Sequence, residues 1–250
     1  MEPRRGHPAG MTTIAISAPA VHAEVRPAFT TDLLLNGPQS RAYEALGPKK
    51  AVVLPWGRAV GLDWLIRQMW YVHIAQHGAA RPFRIAHIVR SRVDFDADHA
   101  EAIEQEIAGQ WASLGAKIDH ASWVIRFPGG SFVKVMPPES RFANGLRVDM
   151  ITCSDLDRIE PAAFDTIARP LMSHPESWRT LLVGGREHEN GTGLLRREMS
   201  DPAATVIRAN YRDVPEMIGA DDLAMIKEQT SPEVFRREWE CEIDLTAPAA

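Results

Sequence analysis

Residues 54–64, with the sequence LPWGRAVGLDW, lie where a phosphate-binding loop is expected, between a strand-like run and an amphipathic run. In the pattern G-x-x-x-x-G-K-[ST], the lysine contacts the terminal phosphates and the hydroxyl holds Mg²⁺. The corresponding residues here are Trp56 for the first glycine, Gly61 for the second, Leu62 for the lysine and Asp63 for the hydroxyl. The loop therefore has the frame of a nucleotide site without its two chemically active side chains.

Asp63 is unfavourable for phosphate binding and favourable for starting a helix. A carboxylate 4 Å from a phosphate oxygen is repelled by about 4 kcal/mol at an effective dielectric constant of 20. At a helix N-terminus, the same carboxylate accepts hydrogen bonds from free N–H groups and complements the helix dipole. We therefore expect Asp63 to be the N-cap of the helix that follows.

A second polar pair follows a predicted central strand. The run LRVDMITC, from Leu146, ends at Ser154 and Asp155. Ligand sites of open α/β sheets lie at the carboxyl ends of parallel strands, which makes Asp155 a candidate metal ligand or base. The alternative is a loop aspartate that caps the next helix. The residues alone leave both interpretations open.

The rest of the chain alternates strand-like and helical runs. Strands are predicted at residues 51–54, 83–91, 146–153, 178–185 and 204–210. Helices are predicted at residues 29–47 (broken at Gly37 and Pro38), 63–76, 95–115 (capped by Asp96 or Asp98 and stopped by Gly115), from about 161, after 193 and at 231–243. Residues 121–136 alternate around Pro128, Gly129 and Gly130 as in a hairpin. This order predicts a mostly parallel sheet with one antiparallel hairpin.

Length and composition predict one globular domain. The 250 residues are 45% hydrophobic and 24% charged, with a net charge of −5. We assign residues 1–28 to a flexible tail, 29–245 to the domain and 246–250 to a second tail. Two cysteines without metal-ligand spacing, Cys153 and Cys241, fit buried thiols in a reducing compartment. No run approaches the ~18 apolar residues of a membrane span, so no membrane contact is expected.

Two polar clusters allow more than one interpretation. Arginines at positions 196, 197, 208 and 212 would suit DNA phosphates. The net negative charge favours a solvated charged face instead. His188, between Glu187 and Glu189, has the residue types of a metal site, but adjacent residues in a loop are more typical of a hydrated loop tip.

The order and spacing of these elements resemble the ATPase domain of the large terminase subunit of tailed bacteriophages, from about Gln39 to Ile243. Gln39 resembles the family's adenine-sensing glutamine, and Gly57, Arg58 and Gly61 fit its arginine-containing loop. WVIRFPGGSFVKV resembles the segment before its acidic motif, with Asn144 and Gly145 in place of an Arg-Gly dipeptide. The fold that this implies is a three-layer, P-loop NTPase-like α/β domain with a mostly parallel central sheet and an antiparallel hairpin.

The resemblance also identifies degraded motifs. The acidic motif should be Asp-Glu, the aspartate for Mg²⁺ and the glutamate for water. Here it is Ser154 and Asp155, or, one residue later, Asp155 and Leu156. Ser154 and Asp155 are therefore the candidate metal ligands, with Asp155 the candidate catalytic residue. The coupling motif, normally Thr-Pro, is Gly185 and Arg186, and Asn190 matches further on. We expect no nuclease domain in these 250 residues.

The resemblance implies a component of viral DNA packaging in the cytoplasm of a bacterial host. ATP and Mg²⁺ are the implied ligands, and the degraded motifs argue against both. One alternative is a non-catalytic pseudo-ATPase that docks on a portal or an active terminase. Another is a rewired Mg²⁺-dependent ATPase that uses Asp63 and Asp155. The implied partners are double-stranded DNA, a portal or small terminase subunit, a separate nuclease or ATPase subunit, and further copies in an oligomer.

Overall fold

The computed structural model describes residues 10–18, 29–78, 80–91, 93, 99–138, 146–168 and 180–243. Several predictions lie outside these residues. They are the helix caps Asp96 and Asp98, the dipeptide Asn144–Gly145 and the tail at 246–250.

The described residues form ten strands and seven α-helices. The strands are β1 (Met11–Ala18), β2 (Phe29–Asn36), β3 (Ala51–Pro55), β4 (Arg84–Ile88), β5 (Lys117–Asp119), β6 (Val124–Arg126), β7 (Phe132–Met136), β8 (Met150–Cys153), β9 (Thr180–Gly185) and β10 (Ala204–Val206). The helices are α1 (Gly37–Ala45), α2 (Leu62–His77), α3 (Ala100–Ala108), α4 (Pro161–Ala163), α5 (Leu194–Met199), α6 (Ala220–Gln229) and α7 (Pro232–Glu238). None of these helices is both long and apolar enough to cross a bilayer.

Eight strands form the central sheet in the order β10-β3-β9-β8-β4-β7-β6-β5. The first six are parallel to one another, and β6 and β5 complete the sheet as antiparallel neighbours. Every residue of β8 and β9 is buried, as expected for central parallel strands covered on both faces. The predicted α/β fold, with a mostly parallel sheet and an antiparallel hairpin, is confirmed.

Side-chain alternation along the strands divides the core into two layers. On one face, Ile85 and Val133 join a cluster that contains most of α2 and Trp111 after α3. On the other face, Ala86 and Met136 join a second cluster with residues of α5. The sheet is thus sandwiched between helical layers.

Residues 29–36 form strand β2, so the predicted helix over this stretch is wrong. β2 pairs with β1, which lies inside the segment assigned to a flexible tail. Leu33 and Leu35 enter the core from alternate positions of β2, which is strand periodicity. Helix α1 begins only after Asn36, whose side chain forms a capping box with Gln39.

Helix α2 begins at a glycine and not at the predicted aspartate. Gly61 is its N-cap, with φ +83°, in the left-handed region that glycine adopts without strain. Asp63 lies in the first turn instead, and its side chain is half-exposed. Asp63 keeps its favourable charge at the helix N-terminus, but the N-cap prediction is wrong.

A buried polar group connects the sheet to α2 just before the predicted acidic motif. The Thr152 hydroxyl on β8 lies 3.0 Å from Trp70 Nε1 of α2, which donates to it, and 3.0 Å from His87 Nδ1 of β4. Burial, followed by the positive charges of His99 and Arg67, lowers the pKa of His87 well below its usual value. Ser154 thus follows a firmly anchored strand end.

Candidate functional site

A cavity of about 950 Å³ opens at the carboxyl ends of β3, β8 and β9. This is the edge at which parallel α/β sheets bind ligands. Its lining combines the loop after β3 with the turn after β8 and the end of β9. The predicted site residues that it brings together are Gly57, Arg58, Gly61, Leu62, Asp63, Ser154, Asp155, Gly185 and Arg186.

The first three N–H groups of the loop already donate to the protein itself. The pairs are Trp56 to the Gly185 carbonyl (3.0 Å), Gly57 to the Ala209 carbonyl (3.0 Å) and Arg58 to the Glu238 carbonyl (2.8 Å). A phosphate-binding loop uses its backbone N–H groups to cradle the anion. This half of the loop is instead bound to β9, to the segment after β10 and to the end of α7.

Two loop residues fix this path by their size. A Cβ on Gly57 would lie 2.3 Å from the Trp239 carbonyl oxygen, so only glycine fits without a backbone shift. Trp56, at the first glycine position of the motif, is almost fully buried and donates from Nε1 to the Ile207 carbonyl at 2.8 Å. Trp56 therefore contributes to packing at the position where the motif needs a small residue.

Leu62 occupies the position of the phosphate-binding lysine and packs into the protein. It is half-buried and lies against the α2-side core cluster. A Cβ on Gly184 would lie 3.1 Å from Leu62 Cδ2, so this side chain covers the β9 backbone. Asp63, beside it, lies 4.0 Å from His99 Nε2. Neither residue supplies a cation to the cavity.

Gln39 holds the loop after β3 by a hydrogen bond and is not part of the described cavity lining. It is 3% exposed. Its Oε1 accepts from the Asn36 N–H at 3.1 Å, and its Nε2 donates to the Val60 carbonyl at 3.0 Å. The polar atoms that would recognise a base are used to hold β2, α1 and the loop together.

Arg58 is paired with a carboxylate from the end of α7. The guanidinium lies 2.6 Å from Glu238 Oε2, and Arg186 Nε lies 3.7 Å from the same oxygen. Burial raises the pKa of Glu238, but hydrogen bonding and charge from Arg58, then the charges of Arg186 and Arg237, outweigh it and lower the pKa. Both cavity arginines thus already face an anion of the protein.

Asp155, which faces the cavity after β8, also has cationic neighbours. Its Oδ1 lies 3.1 Å from His188 Nε2, and its Oδ2 lies 3.6 Å from Arg158 Nη1. Burial raises the pKa of Asp155, and the His188 hydrogen bond with the charges of His188, Arg158 and Arg186 reverses this to a lowered pKa. The interpretation of His188 as a hydrated loop tip is wrong, because its side chain is only 14% exposed and is paired with Asp155.

Asp157 is a structural residue that the sequence reasoning missed. It is 2% exposed and accepts from the backbone N–H groups of His188 (3.0 Å) and Gly193 (2.9 Å). A Cβ on Gly191 would lie 1.7 Å from Asp157 Oδ2. This buried carboxylate shapes the loop that positions His188. The signal was a second aspartate directly after an apolar residue in SDLDRI, followed later by the glycine-rich ENGTGL.

Gly185, at the degraded coupling motif, lies between the loop and the turn after β8. Its carbonyl accepts from Trp56, its φ is +135°, and a Cβ here would lie 3.0 Å from the Ser154 carbonyl oxygen. Arg186 continues into the cavity. Asn190 is exposed in the following turn and is not part of the described lining.

The arginines at positions 196, 197, 208 and 212 do not form one basic patch. Arg196 pairs with Glu187, Arg197 pairs with Asp165 and Glu198, and Arg212 pairs with Glu240. Both cysteines are buried free thiols, and burial raises the pKa of Cys241 to about 12. Neither feature adds chemistry to the cavity.

Models of known protein families and curated protein sequences give no match to this chain. Several solved structures, in contrast, are similar to this chain. The ATPase domain of the large terminase of Thermus phage P74-26 is 13% identical, with a TM-score of 0.62 over 84% of this chain and 94% of that chain. The large terminase of bacteriophage HK97 is 16% identical, with a TM-score of 0.64 over 83% of this chain.

The large terminase of a thermophilic bacteriophage, solved in complex with ADP, is 9% identical, with a TM-score of 0.59 over 78% of this chain. This chain covers 50% of the HK97 protein and 48% of the ADP-bound terminase, about half of each. At these identities the likeness concerns the fold. The chain has the fold of the ATPase domain of a phage large terminase.

Proposed function

We propose that this chain is a large-terminase-like component of viral DNA packaging whose nucleotide site does not hydrolyse ATP by the usual route. The observation that carries this proposal is the packing of Leu62. The side chain at the lysine position covers the backbone of Gly184 and joins the hydrophobic core. The aliphatic contact of Leu62 stabilises the fold, and a leucine at this position leaves the phosphates without their cation.

The backbone around Leu62 supports the same conclusion. The N–H groups of Trp56, Gly57 and Arg58 are bound to protein carbonyls. Asp63 adds a negative charge in the first turn of α2, where a phosphate would lie. The residues at this site therefore do not fit the triphosphate of an Mg²⁺-bound ATP.

The acidic side of the cavity is incomplete as well. Asp155 is the carboxylate of the turn after β8, and it is already paired with His188 and Arg158. The next residue, Leu156, is fully buried in the second core cluster. The residue directly after Asp155 therefore has no carboxylate to activate water in the way the family's glutamate does.

The rewired Mg²⁺-dependent ATPase remains a second candidate, because Asp63 and Asp155 both line the cavity. Mg²⁺ is commonly held by one or two carboxylates together with waters and substrate phosphates. Among the described residues, no three His, Cys, Asp or Glu side chains are grouped as metal ligands. The ion pairs of Asp155 favour the non-hydrolysing interpretation.

Phosphate release with ATP and Mg²⁺ tests the proposal. We expect wild-type protein and Asp155→Asn to give the same background rate. A rate that requires both Mg²⁺ and Asp155 would overturn the proposal and favour the rewired enzyme. Calorimetric titration with ATP, with Arg58→Ala as the control, shows whether the loop still binds a nucleotide that it does not hydrolyse.

The packaging role predicts a protein partner that hydrolyses ATP. The proposed partners are a portal, a small terminase subunit, or a separate ATPase or nuclease subunit, acting on double-stranded DNA. Purified portal and candidate subunits from the same virus, titrated singly against labelled protein, test this part. Failure of every one to bind would contradict the packaging role and leave the ATPase result intact.

A further inference from the structure

The end of α7 separates the cavity described above from a second cavity, whose volume is about 1050 Å³. Residues 237–241, which we call the α7 end segment, run between the two. Trp239 lines the first cavity together with Arg58. Arg237 and Cys241 line the second cavity. The α7 end segment therefore has open space on both sides.

Glu238, within this segment, lies where an anionic ligand of the first cavity would contact its arginines. Its Oε2 lies 2.6 Å from both Nε and Nη2 of Arg58, and 3.7 Å from Arg186 Nε. Guanidinium groups bind carboxylate and phosphate oxygens in the same way. The charge of Arg186 also acts on Asp155. The described ion pairs of Arg58 and Arg186 nevertheless both go to Glu238.

The ion pair between Arg58 and Glu238 is accessible to a competing anion. The Arg58 side chain is 46% exposed, and the Glu238 side chain is 20% exposed. Exposed ion pairs contribute little to stability, because water and salt screen them. A polyphosphate carries several negative charges and can contact Arg58 and Arg186 together, whereas Glu238 carries one charge. A multivalent oxyanion can therefore replace the carboxylate.

Backbone strain flanks this ion pair on both sides. Ala59, in the loop after β3, has φ +69°, and Cys241, after α7, has φ +50°. Residues other than glycine disfavour this left-handed region, because Cβ approaches the following carbonyl oxygen. Such residues persist only where the surrounding structure holds them, and they are concentrated at ligand sites and switch regions. Release of this strain would favour a second position of the α7 end segment.

We propose that the α7 end segment makes an autoinhibitory contact, in which Glu238 blocks Arg58 and Arg186 until a polyphosphate anion displaces it towards the second cavity. The displacement also breaks the hydrogen bond from the Arg58 N–H to the Glu238 carbonyl. A backbone donor of the loop then becomes available to the anion. The inference rests on the proposed function, because it concerns the regulation of the same cavity, but it involves no hydrolysis.

Calorimetric titration of the full chain with inorganic tripolyphosphate, without metal, tests the inference through Cys241. Cys241→Gly removes the strain of the closed position, so we expect it to weaken binding roughly fivefold. Cys241→Ala removes the thiol and keeps the strain, so it should bind like wild type. Lys49→Gly is the matched control, because exposed Lys49 also has a positive φ of 61°. It should stay within about twofold of wild type.

The combination of Glu238→Gln with Cys241→Gly tests whether the two residues act together. Without the carboxylate, the closed position no longer competes with the anion. The effect of Cys241→Gly should therefore fall below about twofold in the Glu238→Gln background. An equal effect in both backgrounds would overturn the inference, because Cys241 would then act independently of Glu238.

Amide hydrogen exchange gives a second readout that needs no ligand. The Arg58 N–H is protected by its bond to the Glu238 carbonyl and exchanges when the α7 end segment moves away. Cys241→Gly should slow this exchange roughly fivefold relative to Cys241→Ala, because it favours the closed position. Equal exchange rates in the two variants would contradict the proposed movement.

Two further results would overturn the inference: no tripolyphosphate binding by wild type, or equal affinities of Cys241→Gly and Cys241→Ala. Circular dichroism melting verifies that each variant folds. Ala59→Gly, which removes the strain on the loop side, replaces Cys241→Gly if that variant does not fold. These results are independent of phosphate release. A rapid Mg²⁺-dependent ATPase would overturn the proposed function and leave the autoinhibitory contact, whereas absent tripolyphosphate binding would do the reverse.

Discussion

Arg58 and Glu238 contact each other through both backbone and side chain, although they are separated by most of the chain. The Arg58 N–H donates to the Glu238 carbonyl at 2.8 Å, and the two side chains form an ion pair at 2.6 Å. The loop after β3 is therefore attached to the end of α7 by two kinds of bond. This attachment gives a direct prediction about anion binding.

Replacing Glu238 with glutamine should strengthen the binding of inorganic tripolyphosphate several-fold. The substitution removes the carboxylate that faces Arg58 and Arg186, so both cations become available to an anion in the cavity. Calorimetric titration measures the change. Glu233→Gln, on the same helix, is the control. The prediction fails if Glu238→Gln and the control give the same affinity.

Leu62→Lys combined with Asp63→Thr should create ATP binding without creating hydrolysis. The double substitution returns the cation and the hydroxyl to the loop, while Leu156 still leaves the water without a base. Loss of the Leu62 contact should destabilise the fold by about 1 kcal/mol. Calorimetry and phosphate release measure the two effects, with Asp63→Thr alone as control. Robust hydrolysis by the double variant would show that another group activates water.

Gly57→Ala should destabilise the protein by about 1–3 kcal/mol, the usual range for overpacking. The added Cβ would lie 2.3 Å from the Trp239 carbonyl oxygen, which belongs to the backbone and cannot rotate away. Gly47→Ala is the matched control, because its nearest neighbour would be Lys50 Cγ at 3.7 Å. Urea unfolding of both variants gives the comparison. Equal stability would mean that the loop moves away from α7 at little cost.

Acid should destabilise the protein through His73. Burial first, and the charge of His77 second, lower the pKa of His73 from 6.5 to about 3. Because the unfolded chain binds this proton first, stability falls as the pH drops from 6.5 towards 3, by up to about 1.4 kcal/mol per pH unit. His73→Phe should reduce the dependence of the unfolding free energy on pH in this range, because the unfolded variant binds one proton fewer. Thermal melts across the range measure the change.

Lys117→Glu should stabilise the fold by about 0.2–1 kcal/mol. The substitution converts the like-charged pair with Arg126 into an opposite pair on neighbouring strands. Lys117→Gln should give an intermediate stability. Denaturant unfolding of the three proteins measures the differences in stability. A loss of stability would mean that the lysine has a structural contact of its own.

The strongly patterned central elements were predictable from the sequence. Apolar runs bounded by glycine or polar residues predicted β3, β4, β8 and β9, and the alternation around Gly129 predicted the β6–β7 hairpin. Strand β2 was not predictable, because its three consecutive leucines lack clear alternation. Its strand conformation depends on pairing with β1. The helix predicted at 95–115 ends at Ala108, and a short 3₁₀ turn, Gln110–Leu114, precedes the predicted stop at Gly115.

Glycine spacing located the loop, and strand ends located Ser154 and Asp155. The partners of these residues were not predictable, because they come from distant parts of the chain. Glu238 is one of several charged residues in α7, and the sequence does not distinguish it from the others. The ion pair of Glu238 with Arg58 depends on where α7 ends relative to the loop. Asp157 appeared to be one more loop aspartate, and only burial distinguishes it. Tertiary contact, not local pattern, decides these roles.

The two outermost strands of the central sheet, β5 and β10, are each three residues long. Long, flat edge strands expose rows of unpaired N–H and C=O groups that other chains can join. β5 also carries Lys117, a charge that opposes the approach of another strand, and beyond β10 the chain bridges to Trp56 through Ala209. Within the described part of the chain, the edges of the central sheet therefore offer little template for strand addition by another chain.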